Sequence, residues 1–456
     1  MKRVFGFVLV AILVLAIVPA AAAQIPAPGG PFNTSFRVQN IEATTAQCSY
    51  SFYNSGGTSA YSSGLQSVPG GDSLFVYVPG LALPAGQYSA VVSCDKKAAA
   101  VVNYSDADSG AAHGGVDQPS DTWYAPVIYD NYYGFYTNVV VQNASGGAVD
   151  VTIDIYQAGS GVPVYSNTVN AVPKNGFVNF DQAGLAQLSD DVPYAAKVSA
   201  TGSVAPVVNI YGTAAYDGQL YSYNPFPSGT LTSFTPQIMN NYWGYNTSLT
   251  IQNVGTGADA DFTVTYYEQG TTYTHTDPYT GVGQYESVVV YHPLSALPAG
   301  NTHLYGAKIS STNGVPIVAM VNESNNYNRA ASYSGFPSGS GEQRLPVVFK
   351  DYYRWNTSTV CMNIGTGAAT MTIEYFGLGV GAPTTSPSIG QYQIYNFYQP
   401  LDPALAAVPQ PNWIGSAKVT SAQNVVCMVN EDQNMAPEAT TAMDQLYSYN
   451  GIVVVP

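Results

Sequence analysis

The sequence predicts an all-β protein: four tandem antiparallel β-sandwich domains of immunoglobulin-like type behind a signal peptide. Three observations carry this reading. Short marker strings recur with a spacing near 110 residues. Hydrophobic residues in each copy alternate with period two. The chain opens on a short apolar run behind two basic residues.

The opening run comes first. Lys2 and Arg3 precede an apolar stretch from Val4 to Val18, which ends in Pro19 and the small residues Ala20 to Ala23. That is the layout of a secretory signal peptide cut after Ala23. The run is short for a membrane-spanning helix, which needs about 20 residues, so residues 1–23 are assigned to the signal and the mature chain is expected to hold no membrane span.

The repeats follow. Asn246-Thr247-Ser248 and Asn356-Thr357-Ser358 lie 110 residues apart, and each leads to Gly-Thr-Gly-Ala, at 255–258 and 365–368. Tyr136-Thr137-Asn138 and Asn33-Thr34-Ser35 extend the series upstream. Val-Asn at 102–103, 208–209, 321–322 and 429–430 keeps the same phase, as does Ala-Lys-Val/Ile at 196–198, 307–309 and 417–419. Self-similarity at a fixed period marks a copied structural unit. The expected domains are 24–119, 120–230, 231–341 and 342–456.

Within each copy the pattern is that of strands. Val149, Val151, Ile153 and Ile155 alternate with Asp150, Thr152 and Asp154. Phe262, Val264 and Tyr266 alternate with Thr263 and Thr265, and Met371, Ile373 and Tyr375 with Thr372 and Glu374. Such alternation belongs to strands with one buried face. Gly-Thr-Gly turns suit hairpins because Gly accepts positive φ. Seven or eight short strands per copy close naturally as a two-sheet sandwich.

The four cysteines fall in pairs, Cys48 with Cys94 in the first copy and Cys361 with Cys427 in the fourth. An even count per domain behind a signal peptide predicts two intradomain disulfides. Alignment of the copies puts Cys361 level with Val38, Val141 and Ile251, and Cys427 level with Ala100, Pro206 and Ala319.

Composition narrows the function. Charged residues are 9% of the chain and the formal net charge is −15, with 13 Lys+Arg. Nucleic-acid binding needs clustered cations to neutralise phosphates, so nucleic acid is excluded as a partner. No nucleophile elbow, phosphate-binding loop or zinc-ligand spacing occurs, and the four histidines are scattered. The chain is therefore expected to be no enzyme and to carry neither cofactor nor metal. Asp106-x-Asp108-x-Gly110 is read as a polar linker rather than half of a calcium loop.

Two features remain as site candidates. Aromatic clusters occupy one repeat position: Tyr132-Tyr133-Gly134, Tyr242-Trp243-Gly244 and Tyr352-Tyr353-Arg354-Trp355. Tyr133, Tyr242, Trp243, Tyr353 and Trp355 are candidates for stacking on glycans or for packing at a domain edge. The chain also ends on Ile452, Val453, Val454 and Val455, read as an assembly strand that would add to the open edge of the first domain of another molecule, or else complete the fourth domain. Six Asn-x-Ser/Thr sequons stand at Asn33, Asn103, Asn143, Asn246, Asn322 and Asn356.

The string Tyr-Trp-Gly-Tyr-Asn-Thr-Ser-Leu-Thr-Ile-Gln-Asn-Val-Gly-Thr-Gly at 242–257 resembles the repeats of secreted bacterial surface proteins built from tandem immunoglobulin-like domains. The resemblance runs over nearly the whole mature chain. It implies an extracellular protein of a surface layer, fibre or adhesin, partnered by itself, by other cell-envelope proteins or by glycans, and it supplies no catalytic residues.

Overall fold

The computed structural model describes residues 31–213, 216–325, 329–409, 412–433 and 446–454. The expected signal segment 1–23 and Val455 lie outside them. Unit 1 contains β1 (Asn33–Asn40), β2 (Ala46–Tyr53), β3 (Ser59–Ser62), β4 (Gln66–Val68), β5 (Ser73–Tyr77), β6 (Ser89–Cys94), β7 (Ala98–Ser105) and β8 (Gly110–Gly114). Unit 2 contains β9 (Ser120–Ile128), β10 (Phe135–Asn143), β11 (Val149–Gln157), β12 (Tyr165–Val172), β13 (Phe177–Asp181), β14 (Tyr194–Gly212) and β15 (Leu220–Tyr223). Unit 3 contains β16 (Thr232–Met239), β17 (Tyr245–Asn253), β18 (Ala260–Glu268), β19 (Thr274–Val282), β20 (Ser287–Tyr291), β21 (Leu304–Ser311), β22 (Ile317–Asn325) and β23 (Ala330–Ser334). Unit 4 contains β24 (Ser340–Lys350), β25 (Trp355–Asn363), β26 (Met371–Phe376), β27 (Thr384–Thr385), β28 (Ile394–Tyr398), β29 (Trp413–Gln433), β30 (Leu446–Asn450) and β31 (Ile452–Val453).

Unit 3 shows the plan most simply. One antiparallel sheet has the order β16-β21-β18-β19 and the other β20-β17-β22-β23. In unit 2 a single long strand, β14, serves both sheets: its first half pairs with β9 and β11, its second half with β10 and β15. β29 does the same in unit 4. The inner faces follow the sequence alternation. Val149, Val151, Ile153 and Ile155 are buried, while Asp150, Thr152 and Asp154 are half-buried. The pairing departs from the immunoglobulin arrangement in two strands. There the last strand joins the sheet of the sixth; here the seventh strand pairs with the second, and the first strand of the unit, its lead strand, takes the place beside the sixth.

Both disulfides are present, Cys48–Cys94 between β2 and β6 and Cys361–Cys427 between β25 and β29. Each joins residues directly opposite one another. The row of the Cys361–Cys427 bridge holds Val38 opposite Ala100, Val141 opposite Pro206 and Ile251 opposite Ala319 in the other units. The Cys361–Cys427 bridge spans 66 positions of chain inside a fully buried core. Replacing both by Ala removes a cross-link that restrains the unfolded chain, so a loss of about 2–4 kcal/mol is expected. A lowered midpoint of chemical denaturation that no longer responds to reductant at this bridge checks it.

The four units form a closed ring. Asn175, Tyr285, Tyr392 and Gly71 occupy one repeat position, all at positive φ between 60° and 79°. Each presses on the sheet that holds the sixth strand of the unit before it. The Ser89 hydroxyl donates to the Asn175 carbonyl at 2.5 Å. Tyr285 packs on Tyr124 and Tyr156, and Tyr392 on Phe234 and Tyr267. The Ser416 hydroxyl donates to the Gly71 carbonyl at 2.9 Å, carrying the series from unit 4 back to unit 1. Gln252 donates to the Ala196 carbonyl between units 2 and 3, and Gln39 donates to the equivalent Ala417 carbonyl between units 4 and 1. On the inside, β8 touches β15 and β30, and β23 touches the same two strands. A head-to-tail interface repeated until it returns to its start is a cyclic ring, here made within one chain.

Candidate functional site

The aromatic clusters sit on the loop between the lead strand and the second strand, in units 2, 3 and 4. Each loop is a tight reversal closed by a two-way backbone pair: Tyr132 with Phe135, Tyr242 with Tyr245, Tyr352 with Trp355. The first ring of each loop turns inward. Tyr132 stacks on Tyr129 and Tyr352 on Phe349, with centroids 4.5 and 5.3 Å apart. The second ring stands in solvent: Tyr133 is 63% exposed, Trp243 65% and Tyr353 66%.

These three exposed residues hold a backbone conformation that bulky side chains avoid, with φ of 50°, 51° and 48°. The cost is of order 1–3 kcal/mol each. The surrounding structure enforces it. A side-chain oxygen 58 or 59 residues further on accepts from each backbone N–H: Asp191 for Tyr133 at 2.8 Å, Asn301 for Trp243 at 2.9 Å, and Asn412 for Tyr353 at 2.8 Å. Equivalent positions of a cyclic ring lie at one height around its axis, so the three rings share one face of the molecule.

The five sequence-level aromatic candidates therefore divide. Tyr133, Trp243 and Tyr353 form an outward triad. Tyr242 and Trp355 are half-buried, and Trp355 lies against Tyr447 at 4.6 Å between centroids, a packing role. No family model and no curated protein matches this chain. Among solved structures, the crystal structure of Thermotoga maritima 1070 is similar at 19% identity and a TM-score of 0.21, over 24% of this chain and 94% of that one. A tetra-tandem repeat from the extending region of a large adhesion protein is similar at 10% identity and a TM-score of 0.13, over 91% of this chain and 94% of that one. An Escherichia coli alpha-2-macroglobulin activated by porcine elastase is similar at 9% identity and a TM-score of 0.12, over 94% of this chain and 43% of that one. At these scores the likenesses carry no functional information.

The C-terminal candidate is placed differently from the assembly reading. Ile452 and Val453 pair with Arg344 and Gln343 of β24, and the Val454 N–H donates to the Glu342 carbonyl. In units 2 and 3 the same step is a single bridge, Phe226 to Tyr124 and Phe336 to Phe234. Ile452–Val453 thus closes its own unit against its own lead strand. The reason is positional. Gly451 donates to the Cys427 carbonyl as Gly335 does to Ala319, so the residues after it correspond to Phe336 and not to a lead strand.

Other polar candidates are structural. The Asp106 carboxylate caps its turn, accepting from the backbone N–H groups of Asp108 and Ser109. Among the described residues no group of three His, Cys, Asp or Glu converges as metal ligands would. His292 is buried between Thr247 and Tyr266, and burial holds its pKa down at about 4. Of the sequons, Asn143, Asn322 and Asn356 are buried and only Asn33 is exposed. Asn143 donates to the Gly147 and Val172 carbonyls, bonds that a glycan on its amide would break.

Proposed function

We propose that this chain is a secreted, non-enzymatic structural protein that forms or decorates a cell-surface layer, and that it attaches there through the aromatic triad. The single observation behind the reading is Tyr133, Trp243 and Tyr353, held in solvent at a conformational cost and repeated around one face of the ring. Exposed aromatic rings offer flat apolar surface at low side-chain entropy cost, which suits the faces of sugar rings. Three copies on one body multiply weak contacts by effective concentration. The signal-like segment and the two disulfides support an oxidising, extracellular location.

The test replaces all three residues by Gly, which accepts the left-handed backbone without strain. Binding of the purified protein to a glycan array and to isolated cell-envelope polysaccharide is expected to fall at least about tenfold, a change of about 1.4 kcal/mol. The melting temperature is expected to hold or rise, because strain is relieved. Unchanged binding in the triple variant rejects the reading.

A second reading is self-association by strand addition, with this protein or another envelope protein as partner. Ile452–Val453 is already taken up by β24, which removes the donor first assigned to it. The acceptor side is a separate matter.

A further inference from the structure

The lead strand does two things in units 2, 3 and 4. It pairs with the sixth strand of its own unit, and it lies across the outer face of the next unit. β9 runs over β17 and β22, β16 over β25 and β29, and β24 over β1 and β7. The residues beneath it are buried: Thr250, Gln252, Val318 and Met320 in unit 3, Val360, Met362, Val426 and Met428 in unit 4, and Arg37, Gln39, Ala99 and Val101 in unit 1.

The boundary between units 1 and 2 breaks this rule. Among the described residues, β6 pairs only with β2. Asp95 donates to the Gln47 carbonyl, so residues 47 and 95 form a hydrogen-bonded pair and the outward-facing amides and carbonyls of β6 are those of Ala90 and Val92. Ala90 is exposed, whereas its counterparts Ala196, Ala307 and Ala417 are fully buried. On the far side Val140, Gln142, Ala205 and Val207 are half-exposed, although every equivalent residue in the other three units is covered. The cores agree. At the other three boundaries the main hydrophobic cores run on into the next unit, whereas the core of unit 1 contains no residue of unit 2 and the two units share only a small separate cluster of Ala111, Tyr136, Tyr211 and Leu220.

We infer that the boundary between units 1 and 2 is an acceptor slot for one extended, uncharged, proline-containing strand supplied by another polypeptide. Three occupants of equivalent slots define its chemistry: Ala125-Pro126-Val127-Ile128, Thr235-Pro236-Gln237-Ile238 and Leu345-Pro346-Val347-Val348. Proline is tolerated because the strand lies at a sheet edge. The spacing argues for supply from outside. Pro126, Pro236 and Pro346 each stand 11 residues before Thr137, Thr247 and Thr357. The same spacing from Thr34 falls on Ala23, the last residue of the expected signal peptide, and in the degenerate Ile25-Pro26-Ala27-Pro28, which lies outside the described residues, Pro26 stands only 8 residues before Thr34. Backbone pairing along β6 supplies affinity, and the apolar floor of Val140 and Val207 sets the side-chain preference. The inference does not depend on the aromatic triad binding glycans.

The probe is a synthetic peptide with the sequence of Thr232–Met239, added to the full mature protein. Binding at one peptide per chain is expected, with slowed hydrogen exchange at the Ala90 and Val92 amides. Val207→Lys, on the floor, and separately Ala90→Lys, at the exposed mouth, are each expected to weaken binding at least tenfold without changing the melting transition. If the slot is filled by a second copy, sedimentation shows a dimer that the peptide dissociates, which also supports supply in trans. Protection of both amides in a peptide-free monomer, or equal peptide binding by both variants, overturns the inference.

Discussion

Gly71→Val, combined with Gly110→Val, is expected to open the ring between units 4 and 1 while leaving the four sandwiches folded. A Cβ on Gly71 would lie 2.4 to 2.8 Å from three ring atoms of Phe376, and one on Gly110 would lie 2.3 to 2.6 Å from the Tyr447 ring and hydroxyl. Gly71 also holds φ at +79°, a region that β-branched residues avoid. Overpacking of this kind costs about 1–3 kcal/mol per site. Both residues sit in unit 1 and both neighbours in unit 4, so the clash bears on one boundary. That boundary is also the one without a covalent link. Units 1 and 2, 2 and 3, and 3 and 4 are joined by short chain segments that keep the local concentration of their partners high. Units 4 and 1 meet only through side chains and backbone contacts, such as Gln39 to Ala417 and Asn103 to Glu431 at 2.5 Å. Solution scattering is expected to show a larger radius of gyration with unchanged β-sheet circular dichroism. A variant as compact as the parent would mean that closure does not depend on this interface.

The ring itself could not be read from the sequence, and the reason lies in particular strands. β17 alternates Leu249 and Ile251 with Thr250 and Gln252. That pattern reads as one dry face and one wet face, and the sandwich interior was legible from it. Yet Thr250 and Gln252 are also buried, because the lead strand of the preceding unit lies over them. Period-two patterning reports the polarity of a face and not whether a neighbour covers it. The position that locks each unit onto the one before it is equally silent, since Asn175, Tyr285, Tyr392 and Gly71 share a backbone conformation but no single side-chain type. The cysteines were more informative. Aligning Cys361 with Val38 and Cys427 with Ala100 placed the second and seventh strands side by side, because a disulfide fixes proximity as well as burial. The aromatic site was half legible: the clusters stood out, but Tyr132 and Tyr133 are adjacent residues of one type, and it is the turn backbone, with φ of 50° at Tyr133, that leaves one ring stacked and the other presented.

Stability is expected to rise as the pH is lowered from 8 to 6.5, and the replacements Glu323→Gln and Glu431→Gln together are expected to flatten that rise. Both carboxyls are fully buried at unit boundaries, Glu323 near Ser448 of unit 4 and Glu431 against Asn103 of unit 1. Burial pushes each up to about 8, and for Glu431 the nearby Arg37 guanidinium and the Asn103 hydrogen bond oppose the shift without cancelling it. A carboxyl whose folded pKa lies above its unfolded value of about 4.3 binds its proton more tightly in the folded state. Its unfolded form loses that proton first, so stability is greatest below the unfolded pKa and is lost as pH rises through 8. Between pH 8 and 6.5 the two groups together change stability by about 3 kcal/mol. Ordinary carboxylates are ionised throughout this window and add no slope. Below about 6.5 the opposing sign enters: burial lowers the pKa of His292 to about 4, and that of His113 also falls, so both resist the protonation that the unfolded chain accepts. The profile is therefore expected to climb from pH 8, then level off near 6.5 and below. Chemical denaturation at pH 8.0, 7.2 and 6.5 separates the alternatives. Parallel slopes for the parent and the double variant would show that neither carboxyl is protonated in the folded ring.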